Sequence, residues 1–357
     1  MTQDPAAPLF NFVADLAPAE LELCNAAPDL AGLFARKPEM LARISSKGDL
    51  CWCLQSYLIL KARGVVQVQL SNRMQAGAVN VVHSDHLLNL RGTPDQFIVC
   101  VRADFPRRRW AHYHLVQNRA QLGGETAYIP LWPQPALVGR DERREGVTTV
   151  AYAGEIVNGN LAAGVGAWKR LFARHGLNFV QPASQAWNDL SQVDVILGVR
   201  SFDKRPYDGK PPSKLLNAWH AGIPFVGGYD SAFSQVGTPG SDYLRIGSAD
   251  EALEAVLRLR DSPLLYSLLV RNGRRKAMDF TVEAIATQWE RTLLGPVRQR
   301  LLRWQARRPY EAMRFRLKLR AGLLEHDGKQ AIKKGLRLGR ASNRVRMVVA
   351  MSDTNAD

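Results

Sequence analysis

Hydrophobic and polar positions along the chain form short apolar runs and longer amphipathic segments, the pattern of strands that alternate with helices. In the first half, residues 50–64 (LCWCLQSYLILKARG) are predicted to form a helix that ends at Gly64, a residue suited to the left-handed backbone after a helix. Five short runs are predicted to be strands, at residues 65–71, 78–84, 96–104, 112–118 and 126–132. Residues 1–43 show only short helical patterns among alanines and prolines. The first half is therefore predicted to be a sheet with at least one helix.

The second half alternates strands and helices more regularly. Five apolar runs are predicted to be strands, at residues 148–155, 177–182, 193–200, 224–228 and 242–247. Four amphipathic segments are predicted to be helices, at residues 161–176, 213–221, 249–262 and 263–280. Because strands that alternate with helices pair in parallel, this half is predicted to be a doubly wound parallel sheet.

A proline-rich segment, residues 130–146, separates the two halves and is predicted to be a linker. The expected fold class is α/β, with two Rossmann-like domains facing a cleft, which is the default place for a ligand. We expect an N-terminal domain at residues 1–140 and a second domain at residues 141–295. A basic, partly helical tail is expected at residues 296–357.

Length and composition agree with this division. A chain of 357 residues is long enough for two domains, and its 46% apolar and 23% charged residues exclude a disordered or low-complexity chain. No apolar stretch approaches the ~18 residues of a membrane span, and the acidic N-terminus does not resemble a secretory leader. The four cysteines lack metal or redox spacing and fit reduced thiols. We therefore expect a cytoplasmic protein.

The net charge of +15 is concentrated near the C-terminus. Residues 296–357 hold 16 Lys and Arg against 5 Asp and Glu, whereas the rest of the chain is nearly balanced. A cationic segment of this kind seeks polyanions. Two interpretations stay open: a segment that lies on an anionic membrane surface through basic and apolar side chains, and a solvated basic tail. Specific nucleic-acid binding is not expected, because no recognition module accompanies the charge.

Two loops at the carboxyl ends of predicted strands carry candidate phosphate-binding residues. The first contains Gly154, Glu155 and Asn158, in a segment whose small residues let the backbone approach a phosphate. The second begins with Arg200, which follows an apolar strand and can hold a diphosphate through two hydrogen bonds. Since ligands bind beyond the carboxyl ends of parallel strands, both loops are expected to border one site.

The segment KPPSKLLNAWHAGIPFV (210–226) is the most informative of the chain. Its two prolines prevent a helix before Ser213, which is predicted to be the N-cap. Lys214 then falls in the first helical turn, where a cation opposes the helix dipole, a placement that makes sense if an anion also occupies that end. Asn217 shares one helix face with Lys214, and Lys210 precedes the prolines.

This segment resembles the nucleotide-binding signature of glycosyltransferases with the GT-B fold, of the kind found in group 1 and group 4 C-terminal domains. The matching positions are Lys214-Leu215, Asn217, Gly222, Pro224 and Phe225-Val226. In that family the lysine contacts the donor diphosphate and the acidic position holds the ribose hydroxyls. The resemblance covers residues 148–295. It implies donor binding by Lys214 and Asn217. The other residues that we expect to bind the donor are Gly154, Glu155, Asn158, Arg200, Lys210 and Ser213.

The chain departs from the family pattern at two positions. Many retaining members carry two glutamates eight residues apart, but Gly209 and Asn217 stand there in this chain. The stereochemical outcome is therefore left open. The segments VILGVRSF (195–202) and 210–226 together also resemble an uncharacterised bacterial branch of these enzymes, often linked to surface-polysaccharide genes.

Sugar transfer with inversion needs a base that takes the proton of the acceptor hydroxyl. His83 and Asp85 lie at the end of the predicted strand 78–84, which places them at the cleft side of the first domain. Asp85 could itself be the base, or it could orient a histidine. Ser84 and Asp85 also suit a plain turn. The histidines do not have a zinc spacing, so no metal ion is expected.

The sequence therefore predicts a glycosyltransferase that moves a sugar from a nucleotide-diphosphate sugar to a saccharide or lipid-linked acceptor, in surface polysaccharide or lipopolysaccharide synthesis. Cations and a helix N-terminus would neutralise the leaving diphosphate in place of a metal, so no cofactor is expected. A lipid-linked acceptor would explain a cationic tail at the inner face of the cytoplasmic membrane. Two alternatives stay open: a nucleotide-sugar 2-epimerase-like enzyme on the same fold, and a non-catalytic protein that binds a nucleotide or glycan.

Overall fold

The computed structural model of the chain describes residues 8–156 and 160–353, with side chains as far as residue 332. Its first sheet has six strands in the order β2-β1-β3-β4-β5-β6, and every neighbouring pair is parallel. The strands are β1 (Phe10–Val13), β2 (Val68–Ser71), β3 (Val79–His83), β4 (Phe97–Val101), β5 (Tyr113–Val116) and β6 (Thr126–Tyr128). Five of these six coincide with strands predicted from the sequence.

Strand β1 was not predicted, although it lies between β2 and β3 in the middle of the sheet order. Its four residues are all buried, so the strand shows no alternation of apolar and polar positions. Its one polar side chain, Asn11, is fully buried and donates hydrogen bonds to Asn80 Oδ1 (2.9 Å) and to the Arg73 carbonyl (3.0 Å). A four-residue buried run inside an Ala/Pro-rich segment carries too short a pattern to identify.

Helices cover the first sheet. They are α1 (Pro18–Ala26), α2 (Leu30–Arg36), α3 (Met40–Ser46), α4 (Gln55–Arg63) and α5 (Ser84–Leu90). The predicted helix over 50–64 is confirmed as α4, which follows directly on a π-helical turn at Leu50–Leu54. Gly64 follows α4 with φ +67°, the left-handed conformation that suits glycine.

The second sheet has five parallel strands in the order β11-β10-β9-β7-β8. The strands are β7 (Thr149–Ala151), β8 (Asn178–Val180), β9 (Val195–Gly198), β10 (Phe225–Gly227) and β11 (Leu244–Arg245). Its helices are α6 (Gly164–Ala173), α7 (Ser213–His220), α8 (Ser231–Val236), α9 (Ala249–Asp261) and α10 (Pro263–Ala277). The predicted fold class, two parallel α/β units with a cleft between them, is confirmed.

Both sheets reverse their strand order after the first strand of the unit. In the first sheet the reversal lies between β1 and β3, and in the second it lies between β7 and β9. Loops that leave neighbouring strands in opposite directions open a crevice at such a point, where open parallel sheets bind their ligands. The two crevices therefore mark where a site is expected in each domain.

After the second sheet the chain returns to the first domain. It does so through α11 (Val282–Thr292), a π-helical turn at Leu293–Val297, α12 (Arg298–Ala306) and α13 (Arg308–Asp353). Trp289 of α11 packs 5.9 Å from the ring of Phe12 and 6.4 Å from that of Trp132. The return thus begins before the predicted tail boundary at residue 295.

The start of the C-terminal segment is packed on the first domain, which differs from the solvated tail considered above. Trp304 and Phe315 are 2% and 3% exposed, and both rings contact His112 beside the first sheet. Arg300 of α12 and Glu311 of α13 are also buried, and they pair at 2.8 Å. No helix in the described part of the chain is both long and apolar enough for a membrane span.

Candidate active site

A cleft between the two domains brings the carboxyl ends of both sheets together. It has an outer chamber of about 550 Å³ and an inner chamber of about 180 Å³. The outer chamber is bordered by, among others, Lys47, Gly48, His83, Asp104, Arg200 and Lys210. The inner chamber is bordered by, among others, Gln134, Trp187, Leu190 and Asn217. Glu155, Ser213 and Lys214 border both, so these residues stand where the two chambers meet.

Lys214 lies in the first turn of α7, as predicted, and is half-buried. Its ammonium stands 4.8 Å from the centre of the Tyr152 ring, a cation–π contact. Among the described residues it has no carboxylate partner at ion-pair distance. Burial, with a further contribution from the charge of Arg200, lowers the pKa of Lys214 to about 7. Lys214 is therefore only partly protonated at neutral pH, and it has no counter-ion among the described residues at the junction of the chambers.

Gly154 makes room for this lysine. A Cβ atom at position 154 would lie 2.8 Å from both Cε and Nζ of Lys214. The glycine therefore serves a close approach between the loop after β7 and the side chain of α7. The sequence pointed to Gly154 for a different reason, the approach of a phosphate to its backbone.

Arg200 borders the outer chamber, but its guanidinium is already bound. Nε donates to Asp230 Oδ2 at 2.7 Å and Nη1 donates to Asn160 Oδ1 at 3.1 Å. Asp230 is 2% exposed, so the pair is largely shielded from solvent. The open two-pronged clamp expected from the sequence is not present. Arg200 instead gives a fixed positive charge next to Lys214.

Lys210 also borders the outer chamber and pairs across the cleft. Its Nζ lies 2.7 Å from Asp104 Oδ2, so a residue of the second domain binds a carboxylate of the first. Both side chains are partly exposed. Lys210 therefore connects the two domains at the mouth of the outer chamber, a role that the sequence did not indicate.

Ser213 and Asn217 take neighbouring places on α7. Pro212 stands at the cap position and Ser213 is the first helical residue, without a side-chain capping hydrogen bond, so the predicted N-cap role is wrong. Asn217 borders the inner chamber, and its Oδ1 accepts a 3.3 Å hydrogen bond from the Gln134 backbone. The nearby Trp187 adds a half-buried aromatic wall, which the sequence did not single out.

The loop after β7 is only partly described. Glu155 is exposed and borders both chambers, beside Lys214. The backbone carbonyls of Glu155 and Asn160 accept hydrogen bonds from the Tyr152 hydroxyl at 3.1 and 3.0 Å. Asn158, the remaining candidate in this loop, lies outside the described residues.

His83 ends β3 and borders the outer chamber opposite Arg200. It is 3% exposed, and its Nε2 makes no hydrogen bond among the described residues. Burial lowers the pKa of His83 below its ordinary value, and the carboxylates of Asp49 and Asp85 offset only part of that effect. His83 is therefore a neutral imidazole at neutral pH, with a nitrogen that can accept a proton.

Gly48, in the helical turn before the π-helical segment Leu50–Leu54, allows a close contact with His83. A Cβ atom at position 48 would lie 2.6 Å from Cε1 and Nε2 of the buried His83 ring. Lys47 precedes it, is exposed, and borders the outer chamber without a carboxylate partner in the described part of the chain. Lys47 and Gly48 were not among the predicted site residues, and the spacing of a short loop gives no signal for them.

Asp85 is not brought to this site. It lies in the first turn of α5, is exposed, and does not border either chamber. The chain turns into α5 immediately after His83, which carries Asp85 away from the cleft. Of the two predicted catalytic residues, the structure brings only His83 into the cleft.

Cys51 is not a reactive thiol, and the described residues do not form a metal-binding cluster. Cys51 borders both chambers, but burial raises the pKa of its thiol to about 12, so it stays protonated. Within residues 8–156 and 160–332, His, Cys, Asp and Glu do not form a group of three that could hold a metal ion. The metal-independent mechanism remains a prediction.

Comparisons with known proteins bear on the fold. No protein-family model and no curated protein matches the chain. Similar solved structures include TarM (10% identity, TM-score 0.45, covering 62% of this chain and 56% of TarM). Another is the pneumococcal O-GlcNAc transferase GtfA in complex with UDP and GlcNAc (11% identity, TM-score 0.45, 63% and 58%). A third is Anabaena HepE in complex with UDP and glucose (11% identity, TM-score 0.47, 80% and 99%).

The chain spans little more than half the length of the first two of these structures. At such identities and TM-scores the likeness does not establish an activity for this chain. The GT-B arrangement implied by the sequence resemblance is confirmed at the level of architecture, since the chain has two parallel α/β sheets with a cleft between their carboxyl ends.

Proposed function

We propose that the chain is a glycosyltransferase that takes a sugar from a nucleotide-diphosphate donor and transfers it to a saccharide or lipid-linked acceptor. One observation carries this proposal: the ammonium of Lys214 stands at the start of α7, where the two chambers meet, without a carboxylate partner among the described residues. A cation at a helix N-terminus is unfavourable alone and becomes favourable when an anion lies beside it.

The two chambers suit the parts of such a donor in order. The inner chamber offers Trp187 for stacking of the base and Asn217 for hydrogen bonds to the ribose. The diphosphate would lie at the junction, against Lys214 and the first N–H groups of α7. The sugar would then extend into the outer chamber, towards His83 of the first domain.

In a direct displacement, the acceptor oxygen attacks the anomeric carbon while the bond from that carbon to the diphosphate oxygen breaks. The proton of the acceptor hydroxyl passes to Nε2 of His83, which is neutral and makes no hydrogen bond in the described structure. Because this nitrogen is buried against Gly48, the step requires the segment around Gly48 to move aside when the acceptor binds. The charge that develops on the leaving diphosphate is stabilised by Lys214 and by the first N–H groups of α7.

Donor binding is tested by thermal shift with UDP-, GDP-, CDP- and dTDP-sugars. A ligand that binds only the folded state raises the melting temperature. Lys214→Ala should weaken binding of the active donor about ten- to a hundredfold, the effect of losing a charge-assisted hydrogen bond. Lys169→Ala is the matched control, because Lys169 is exposed on α6 of the same domain. If the donor raises the melting temperature of both variants equally, Lys214 does not bind the diphosphate and the proposed site is wrong.

Catalysis is tested with His83→Ala. Loss of a general base lowers turnover about 10²- to 10⁴-fold, whereas the donor-induced thermal shift should be retained. His86→Ala is the control, since His86 is half-buried near His83 but borders neither chamber. Turnover that survives in His83→Ala would assign the proton to another group. Turnover that persists in a chelator supports the metal-independent mechanism.

The two alternative functions predict different products. A nucleotide-sugar 2-epimerase would change the donor in the absence of any acceptor. A binding protein would give the thermal shift without turnover. NMR of the sugar after incubation with and without saccharide and lipid-linked acceptors distinguishes all three, and the acceptors that react would show whether the product belongs to surface polysaccharide or lipopolysaccharide synthesis.

A further inference from the structure

A second pocket lies outside the cleft, between the loop after β4 and helix α13. It encloses about 710 Å³ and is lined mainly by cationic side chains, with one carboxylate among them. The charged residues are Arg102, Arg107, Arg109, Lys318, Lys329 and Glu325. We call this pocket the basic groove. The loop after β4 separates the basic groove from the cleft between the domains. Its residues Ala103, Asp104 and Phe105 border the outer chamber of that cleft.

The one carboxylate does not neutralise the basic groove. Glu325 pairs with Arg109 at 2.7 Å and with Lys329 at 2.6 Å. Within the described part of the chain, Arg102, Arg107 and Lys318 have no carboxylate at ion-pair distance. Burial lowers the pKa of both Arg102 and Lys318, and the charge of Arg107 adds to the lowering in each. Arg102 and Lys318 are therefore held in partly desolvated places beside the exposed Arg107, an arrangement that is favourable only with an anion among them.

The basic groove is also a fixed structure. Arg108 is buried and donates from Nε to the Ser84 carbonyl at 2.8 Å, and the Ser84 hydroxyl donates to the Pro106 carbonyl at 2.6 Å. On the other wall, Gly322 packs so tightly that a Cβ there would lie 2.8 Å from the buried Trp110 ring. In addition, Nε of Arg102 is buried without a hydrogen-bond partner among the described residues. The backbone that carries these cations is thus fixed before any ligand binds.

An apolar surface continues from the basic groove along α13. Met313, Leu317 and Leu324 are 54%, 60% and 74% exposed, and their spacing puts them on one face of the helix. Leu317 also borders the basic groove. Exposed apolar side chains beside a cluster of cations match the two parts of an anionic lipid, its acyl region and its headgroup. A soluble phosphate would not need this apolar face.

We infer that the basic groove binds the phosphomonoester or diphosphate headgroup of a membrane lipid, while Met313, Leu317 and Leu324 contact the acyl region. A terminal phosphate can accept charge-assisted hydrogen bonds from Arg102, Arg107 and Lys318 together. This inference goes beyond sugar transfer, because it assigns a headgroup site that is separate from the donor cleft and does not depend on the reaction.

The test uses the full chain and two sets of vesicles with equal zeta potential. One set contains phosphatidic acid, whose headgroup is a phosphomonoester, and the other contains phosphatidylglycerol, a phosphodiester. We expect the unmodified protein to bind the first about five- to tenfold more tightly, because a terminal phosphate accepts more charge-assisted hydrogen bonds. Arg107→Ala/Lys318→Ala should lose this preference. The matched control Arg316→Ala/Arg320→Ala changes exposed cations of α13 outside the basic groove, so it should lower both affinities equally.

Several results would overturn the inference. Equal affinity of the unmodified protein for both vesicles would show that only charge density matters. Loss of the preference in the control variant would place the site elsewhere. A thermal shift with inorganic pyrophosphate that needs Arg107 and Lys318, without vesicle binding, would make the ligand a soluble phosphate. Short RNA bound through the same two residues, again without vesicle binding, would make it a nucleic acid. Because no sugar donor is present, these outcomes are independent of the glycosyltransferase test.

Discussion

The ammonium of Lys214 faces a tyrosine ring instead of a carboxylate, and its pKa of about 7 has a direct consequence for binding. At pH 8 the free side chain is mostly neutral, and a bound diphosphate favours its charged form. Binding of the nucleoside diphosphate selected by thermal shift should therefore take up as much as about one proton at pH 8 and little at pH 6. Calorimetry in buffers of different ionisation enthalpy measures this uptake.

The uptake should vanish in Lys214→Ala and persist in Lys169→Ala. Uptake that survives in Lys214→Ala would mean that another group titrates on binding. Uptake that is equal at pH 6 and pH 8 would mean that the pKa of Lys214 is not lowered in the free protein.

Substitution of Gly154 should affect binding far more than stability. In Gly154→Ala the new methyl group collides with the flexible end of Lys214, so the lysine moves while the backbone stays. We expect the free energy of unfolding to change by less than about 1 kcal/mol, while the nucleoside diphosphate binds at least about tenfold more weakly. Gly166→Ala, on α6, should leave binding unchanged, since its Cβ meets only a flexible arginine at 3.4 Å. Chemical denaturation measures the free energy of unfolding, and calorimetry measures the affinity for the nucleoside diphosphate. Normal affinity in Gly154→Ala would show that the glycine is not needed for the position of Lys214.

The helices and strands that could be predicted from the sequence are those whose own residues show a clear apolar run or a clear start signal. Strand β9 is an apolar run of parallel-sheet type, and α7 begins directly after two prolines, so both were predicted together with the side chains they carry. Strand β1 could not be identified, because four buried residues have no period. The helical character of the C-terminal segment was predicted, but its packing on the first domain was not, because the partners of Trp304 and Phe315 lie about 200 residues earlier in the chain.

The packing of α12 and α13 predicts how truncation affects stability. Removing residues 296–357 would take away Trp304 and Phe315, whose loss from a core costs about 3–5 kcal/mol each. That truncated chain should fail to melt cooperatively. Removing only residues 333–357 leaves these contacts in place and should keep the melting temperature within a few degrees. Differential scanning calorimetry distinguishes the two truncated chains. A normal cooperative transition in the chain that lacks residues 296–357 would refute the structural role of α12 and α13.

The same helices make the first domain sensitive to acid. His112 stacks on Phe97 and Phe315, and its Nδ1 accepts a hydrogen bond from the Ile98 backbone. Burial lowers the pKa of His112 from 6.5 to about 3. Between these values the unfolded chain binds more protons, so the stability that neutral His112 contributes is complete above pH 6.5 and is lost as the pH falls towards 3.

The expected slope is as much as about 1.4 kcal/mol per pH unit for this one group. Urea unfolding at pH 7, 6 and 5 measures it. His112→Phe should be less stable than the unmodified protein at pH 7, because a buried backbone donor loses its acceptor, but its stability should fall less steeply with acid. An unchanged slope in His112→Phe would mean that this histidine does not titrate on unfolding.

At the scale of the whole molecule, contacts between the domains were beyond what the sequence could indicate. Asn118, after β5, donates to the Ser231 hydroxyl of α8 at 2.9 Å and accepts from Gln235 at 2.8 Å. Such pairs join polar residues more than a hundred positions apart, and a single sequence gives no signal for them. For the same reason the sequence carries no sign that Arg200, predicted to hold the diphosphate, and Lys210, predicted to bind the donor, each have a carboxylate partner in the fold.

The ion pair of Lys210 and Asp104 joins the two domains, so Lys210 has two possible roles. It can bind the donor, or it can hold the cleft closed. If it holds the cleft closed, Lys210→Met and Asp104→Asn should each weaken donor binding two- to fivefold, which is about the 1 kcal/mol of an exposed ion pair. The double variant should then be no weaker than either single one, because both changes break the same contact. If Lys210 binds the diphosphate, Asp104→Asn should instead leave donor affinity unchanged or raise it, since it frees the lysine. Calorimetry on the three variants decides between a residue that closes the domains and one that contacts the substrate.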